Sequence, residues 1–81
     1  MIVIYGKPQC PECEKAKMFC ETQGLEYVYK TLGTDYTKEQ LIEQFPGARA
    51  VPQITVNDAP IGTFKMFLEY LESNNKTGVS V

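Results

Sequence analysis

Ile2 to Tyr5 is an unbroken apolar, β-branched run, the pattern of a strand covered on both faces. Gly6 to Pro8 interrupts it. From Pro11 onward the apolar positions fall at Cys13, Ala16, Phe19 and Cys20, with Glu12, Glu14, Lys15 and Lys17 between them. That spacing predicts an amphipathic helix from about Pro11 to Gln23. A proline fits its first turn, where an N–H would have no partner, and Gly24 is the expected C-terminal stop. "LEYVYKTL" (Leu25 to Leu32) reads as a second strand, and Gly33 to Tyr36 as a turn. Thr37 and Gln40 form a capping box for a short helix through about Phe45, ended by Pro46-Gly47. "QITVN" is a third strand, Asn57-Asp58 a tight turn and "APIG" a fourth strand. Phe64, Phe67, Leu68 and Leu71 mark a last helix capped by Thr63. Asn74 to Val81 reads as a frayed tail.

The order is β-α-β-α-β-β-α, an α/β arrangement in one domain over residues 1–81. A β-α-β unit makes the first two strands parallel, with a right-handed crossover. A two-residue turn makes the last two an antiparallel hairpin. One mixed four-stranded sheet flanked by three helices follows, and residues at the carboxyl end of its first strand occupy the usual site of an open α/β sheet.

Composition narrows the chemistry. Eighty-one residues with 43% hydrophobic and 22% charged side chains describe an ordinary globular domain. A formal charge of −2, with no stripe of Lys and Arg, gives no reason to expect nucleic acid or an anionic membrane. No apolar run approaches the ~20 residues that span a bilayer, and "MIVIY" lacks the features of a secretory signal. The expectation is a cytoplasmic protein, in which an odd cysteine count argues against a disulfide scaffold. There is no histidine, so Cys-His and Ser-His-Asp catalysis and His-ligated metals are excluded.

The candidate chemistry sits in "KPQCPECEKAKMFC", Lys7 to Cys20. Cys10 and Cys13 form a C-x-x-C, open to three readings: half a metal site, a structural disulfide or a redox couple. A zinc site needs four ligands, and the chain offers three thiols. Cys20 lies seven residues past Cys13 on one helix, roughly 10 Å away at the α-helical rise, beyond the ~7 Å limit for a disulfide. Cys20 is therefore read as a core filler on the apolar stripe. No metal is expected. The redox reading has a direct rationale. Cys10 at the helix N-cap meets free N–H groups and the positive end of the dipole, which stabilise a thiolate. Cys13, one turn inside, is placed to resolve a mixed disulfide. Lys7 adds a positive charge nearby, and Glu12 opposes it.

The sequence resembles the glutaredoxins, within the thioredoxin fold, from Ile2 to about Leu71. "CPEC" stands beside the family's Cys-Pro-Tyr-Cys, "GARAVPQI" (Gly47 to Ile54) beside Gly-Ala-Arg-Thr-Val-Pro, and "IGTF" (Ile61 to Phe64) beside Ile-Gly-Gly. The resemblance implies Cys10 as nucleophile and Cys13 as resolving thiol. It implies a cis-proline at Pro52, with Val51 pairing its backbone to glutathione. Lys7 and Gln44, helped by Arg49, would hold the glycine carboxylate. Gly62 and Thr63 would meet the γ-glutamyl carboxylate. The competing readings are solvated surface charges for Lys7 and Arg49, and an exposed helix residue for Gln44. Four positions depart from the family pattern: Glu12 for a tyrosine, Ala50 for a threonine, Thr63 for a glycine and Lys65 for an aspartate. These departures are expected to weaken glutathione binding and leave disulfide exchange untouched.

By resemblance, the function is a monomeric dithiol oxidoreductase reduced by glutathione, acting on protein disulfides such as that of ribonucleotide reductase. Short members also occur in bacteriophages, which would place such a protein in the host cytoplasm. Two alternatives remain: a related redoxin reduced by thioredoxin reductase, and a module carrying an iron–sulfur cluster between two subunits.

Overall fold

The computed structural model describes the backbone of residues 1–79 and the side chains of residues 1–73. Its elements are β1 (Ile2–Gly6), α1 (Pro11–Thr22), β2 (Tyr27–Thr31), α2 (Lys38–Gln44), β3 (Gln53–Val56), β4 (Ala59–Gly62) and α3 (Phe64–Val79). The strands form one sheet in the order β2-β1-β3-β4. β1 runs parallel to β2 with Ile4 opposite Tyr29, and antiparallel to β3 with Ile4 opposite Ile54. β3 and β4 make the antiparallel hairpin. The expected mixed sheet with three helices is the one observed.

Local chemistry sets the boundaries. Gly24 adopts a left-handed φ of 70°. Its N–H donates to the Glu21 carbonyl and the Leu25 N–H to the Cys20 carbonyl, the paired bonds of a Schellman stop. Leu25 is used up in that stop, so β2 starts at Tyr27 rather than at Leu25. Thr37 and Gln40 close the expected capping box, with Gln40 N–H to Thr37 Oγ1 at 3.2 Å and Thr37 N–H to Gln40 Oε1 at 2.8 Å. Asn57 and Asp58 take φ values of 51° and 71°, the left-handed pair of a type I′ hairpin turn. β3 therefore ends at Val56.

The last helix is longer than its apolar stripe predicts. Its backbone continues through Asn74 and Asn75 to Val79, where the sequence reads as a tail. No proline stops it, and weak helix formers cost under about 1 kcal/mol each. Ser80 and Val81, the end of that expected tail, lie outside the described residues.

Two apolar clusters cover the two faces of the sheet. Ile2, Ile4 and Ile54 pack with Ala16 and Cys20 of α1 and Phe67 of α3. Tyr36 packs with Leu41 of α2 and with Phe45 at its C-cap, and Tyr5 joins them from β1. β1 feeds both clusters, as its unbroken apolar run predicts. The site lies where β1 leaves this sandwich.

Candidate active site

Cys10 is the N-cap of α1, with extended backbone (φ −118°, ψ 105°) and Pro11 following in the first turn. Its Sγ accepts the Cys13 N–H at 3.2 Å, one of the helix-end donors that would otherwise lack a partner. Cys10 and Cys13 are joined as a disulfide with Cα atoms 5.2 Å apart. Cys10 retains 6% exposure and Cys13 none, so an incoming reagent reaches Cys10 first. The two sulfurs thus differ in access to solvent. When the bond is reduced, the N–H donors and the dipole of α1 favour a thiolate on Cys10. Glu12 and Glu14 lie in the same first turn and work against this, reduced by their exposure to solvent. Glu12 turns outward to Lys15 at 3.5 Å.

The loop carrying Cys10 is held from below by groups the sequence reading passed over. The Gly6 carbonyl accepts both the Leu32 N–H at 2.8 Å and the Tyr36 hydroxyl at 2.7 Å. Tyr36 is buried under the 33–36 turn. Burial, followed by the neighbouring Tyr29 and Tyr5 phenols, pushes its pKa up to about 12, so it remains a donor at physiological pH. The clue in the sequence is one aromatic residue inside the polar stretch "GTDYT". The Tyr29 hydroxyl reaches the Lys7 carbonyl at a long 3.4 Å. Gln9, just before Cys10, is held at a left-handed φ of 54°, a conformation that costs a residue with a Cβ about 1 kcal/mol.

Gly6 makes room for this arrangement. A methyl group there would overlap the Tyr29 hydroxyl and meet its Cζ at 2.8 Å and Cys13 Sγ at 3.0 Å. Gly6→Ala is expected to cost about 1–3 kcal/mol, the usual penalty of overpacking, measured by urea unfolding of the oxidised protein. A loss below about 0.5 kcal/mol would show that Tyr29 moves aside freely.

The residues proposed by resemblance fall in two neighbouring grooves. Lys7, Arg49 and Val51 line one of about 590 Å³, together with Lys38, which the sequence reading did not include. Three cations thus surround one groove of a chain whose net charge is −2. Gln44, Gly62 and Thr63 line a second of about 540 Å³, and Arg49 borders both. The Val51–Pro52 bond is cis, and the Gln53 side chain holds the segment before it, donating from Nε2 to the Ala50 carbonyl at 2.8 Å. Thr63 caps α3, its Oγ1 accepting the Met66 N–H at 3.4 Å. Gly62 has a φ of 123°, and the Met66 side chain fills the space a Cβ would need. Cys20 stands apart from the site, free and fully buried. Burial, and then the charge of Glu21, push its thiol pKa up.

A match to the family described as glutaredoxin covers residues 2–61. The chain belongs to the glutaredoxin family. It is 37% identical over 62 residues to a probable glutaredoxin of Synechocystis sp., a match covering 75% of this chain and 57% of that protein. The chain thus spans little more than half of that relative. The structure of reduced Escherichia coli glutaredoxin matches with a TM-score of 0.79 at 29% identity, covering 93% of this chain and 96% of that one. A buckwheat glutaredoxin–glutathione complex matches with a TM-score of 0.76 at 22% identity, covering 90% of this chain and 69% of that one, a likeness of fold. The sheet and helices are those of the thioredoxin fold. Within this domain Cys10 and Cys13 form a disulfide at the start of α1.

Proposed function

We propose that the protein is a dithiol glutaredoxin that reduces protein disulfides and is itself reduced by glutathione. Cys10 thiolate attacks a sulfur of the client disulfide, forming a mixed disulfide and releasing the first client thiolate. Cys13, as thiolate, then attacks Cys10 Sγ. The second client thiol leaves, and the Cys10–Cys13 disulfide forms. One glutathione thiolate opens that bond at Cys10 and a second removes the first, giving glutathione disulfide and the free dithiol. Each turnover therefore oxidises two glutathiones and reduces one client disulfide.

The observation that carries the glutathione reading is the groove bearing Lys7, Lys38 and Arg49 beside Val51. Glutathione offers a glycine carboxylate for those cations and a peptide backbone for Val51, as a short β-type pairing. Glutathione in the buckwheat complex supports the same ligand class. Gly62, Thr63 and the start of α3 offer N–H groups to its γ-glutamyl carboxylate. Pro52 would lie across from the cysteine pair, and Gln44 would contribute from the second groove. Family resemblance supports ribonucleotide reductase as a client. It also supports a monomer working in a reducing cytoplasm, that of the host if the chain is phage-encoded.

A second reading has its own observation. Lys65 stands in the first turn of α3, where no acidic residue is present. There it repels both the helix dipole and the γ-glutamyl ammonium. With Glu12, it favours a redoxin reduced by thioredoxin reductase. Turnover of a protein disulfide with glutathione and glutathione reductase, against turnover with thioredoxin reductase, separates the two readings. The first predicts that glutathione supports the faster rate; a faster rate with thioredoxin reductase supports the second. In the glutathione assay, Lys65→Asp is expected to lower the KM for glutathione about threefold, the size of one exposed charge contact. An unchanged or raised KM would remove Lys65 from the binding groove.

A further inference from the structure

The resolving step asks for something the N-cap does not supply. Cys13 has no exposure, yet its sulfur must carry a negative charge to attack Cys10. A buried thiolate without a donor is costly. The Cys13 N–H is already committed to Cys10 Sγ. The Tyr29 hydroxyl is a polar group near the Cys13 sulfur, since both flank the one point where Gly6 lacks a methyl. Among the described residues that hydroxyl has one hydrogen bond, a 3.4 Å contact to the Lys7 carbonyl, at the weak end of hydrogen bonding.

The geometry points to the Tyr29 hydroxyl as the hydrogen-bond donor that stabilises the Cys13 thiolate during the resolving step. This assignment rests on the thiol–disulfide exchange reading and requires neither glutathione nor any particular client. On reduction, the O–H turns from the Lys7 carbonyl to the sulfur. Cys13 loses its proton to solvent, its thiolate attacks Cys10 Sγ, and the Cys10–substrate bond breaks. The departing substrate thiolate takes up a proton. Tyr29 keeps its own proton throughout. Burial, followed by Glu14, raises its pKa, so it acts as a donor and not as a base. The charged and titratable groups around this pair are few. Glu14 and Lys17 face it from α1, with Lys17 Nζ 4.0 Å from Glu14 and 5.2 Å from the Tyr29 ring centre. Tyr36 faces it from the 33–36 turn, Cys10 adjoins it, and Gly6 of β1 contributes no charge.

The test is single-turnover reaction of the reduced protein with 5,5′-dithiobis(2-nitrobenzoate), followed by thionitrobenzoate absorbance. The first phase reports attack by Cys10 and the second reports displacement by Cys13. Tyr29→Phe keeps the ring and removes the donor. Its second phase is expected to shift upward by about one pH unit, the size of one hydrogen bond to a charge. Thiolate at neutral pH then falls about tenfold. The more basic sulfur is about threefold more nucleophilic, so the net slowing is about threefold. In a Cys13→Ser background the effect of Tyr29→Phe vanishes, because only Cys10 reacts. An unchanged pH midpoint for the second phase would overturn the assignment. Equal slowing of the two phases would also overturn it, since Tyr29 would then act only by bracing the Lys7 loop. Failure of Cys10 to react at all would instead refute the exchange chemistry, a separate outcome.

Discussion

Cys10→Ser takes disulfide exchange down to the uncatalysed rate, a loss on the order of a thousandfold or more, in a coupled assay on a glutathione mixed disulfide. Serine at the N-cap still accepts hydrogen bonds, so α1 remains capped, but its hydroxyl does not ionise near neutral pH. No other thiol can take over. Cys13 has no exposure, and Cys20 is buried in the core with its pKa raised. Cys13→Ser gives a different outcome. Reduction of protein disulfides is lost because no thiol resolves the mixed disulfide, while single-thiol exchange with glutathione persists at Cys10. Activity of Cys10→Ser above a tenth of the wild-type rate would reverse the assignment of roles.

Phe67→Ala is expected to remove about 3–5 kcal/mol of stability, the largest effect of any single substitution outside the cysteine pair. A domain of this length has roughly 4–12 kcal/mol in total. The variant is then partly unfolded at 37 °C, with Tm lower by about 15–30 °C. Phe67 has no exposure and meets Phe19 of α1 edge-on, with ring centres 6.1 Å apart. It joins α3 to α1 and to the sheet beneath the site. Chemical denaturation followed by circular dichroism reads the loss directly. Phe67→Leu, which leaves a smaller cavity, is expected to cost well under half as much. A Phe67→Ala loss below about 1 kcal/mol would mean that α3 contributes little to the core.

The elements legible in the sequence are those set by local chemistry. Thr37 and Gln40 announce α2, Gly24 ends α1, and Asn57-Asp58 turns the hairpin, each through bonds made within a few residues. The C-x-x-C at an N-cap is legible for the same reason: Cys10, Pro11 and Cys13 are all local to one helix start. The groups that hold that helix start are not local. Tyr29 and Tyr36 lie more than twenty residues from Lys7 and Gly6; the register of β1 with β2 places Tyr29 there, and the turn after β2 returns Tyr36. Gly6 looks like a strand terminator in sequence, yet its missing Cβ is a packing requirement of Tyr29 and Cys13. Arg49 and Lys7 line one groove, and Arg49 shares another with Gln44. The length of α3 was illegible because Asn74, Asn75 and Gly78 disfavour a helix only weakly and nothing after Leu71 forbids one.

The division of labour between Cys10 and Cys13 is tested most directly by trapping. Reduced Cys13→Ser protein, exposed to glutathione disulfide and digested without reductant, is expected to yield one glutathione adduct, on the peptide carrying Cys10. Cys20 is expected to stay unmodified in the folded protein. An adduct on Cys20, or equal labelling of the Cys10→Ser variant under the same conditions, would contradict the assignment of Cys10 as the attacking thiol.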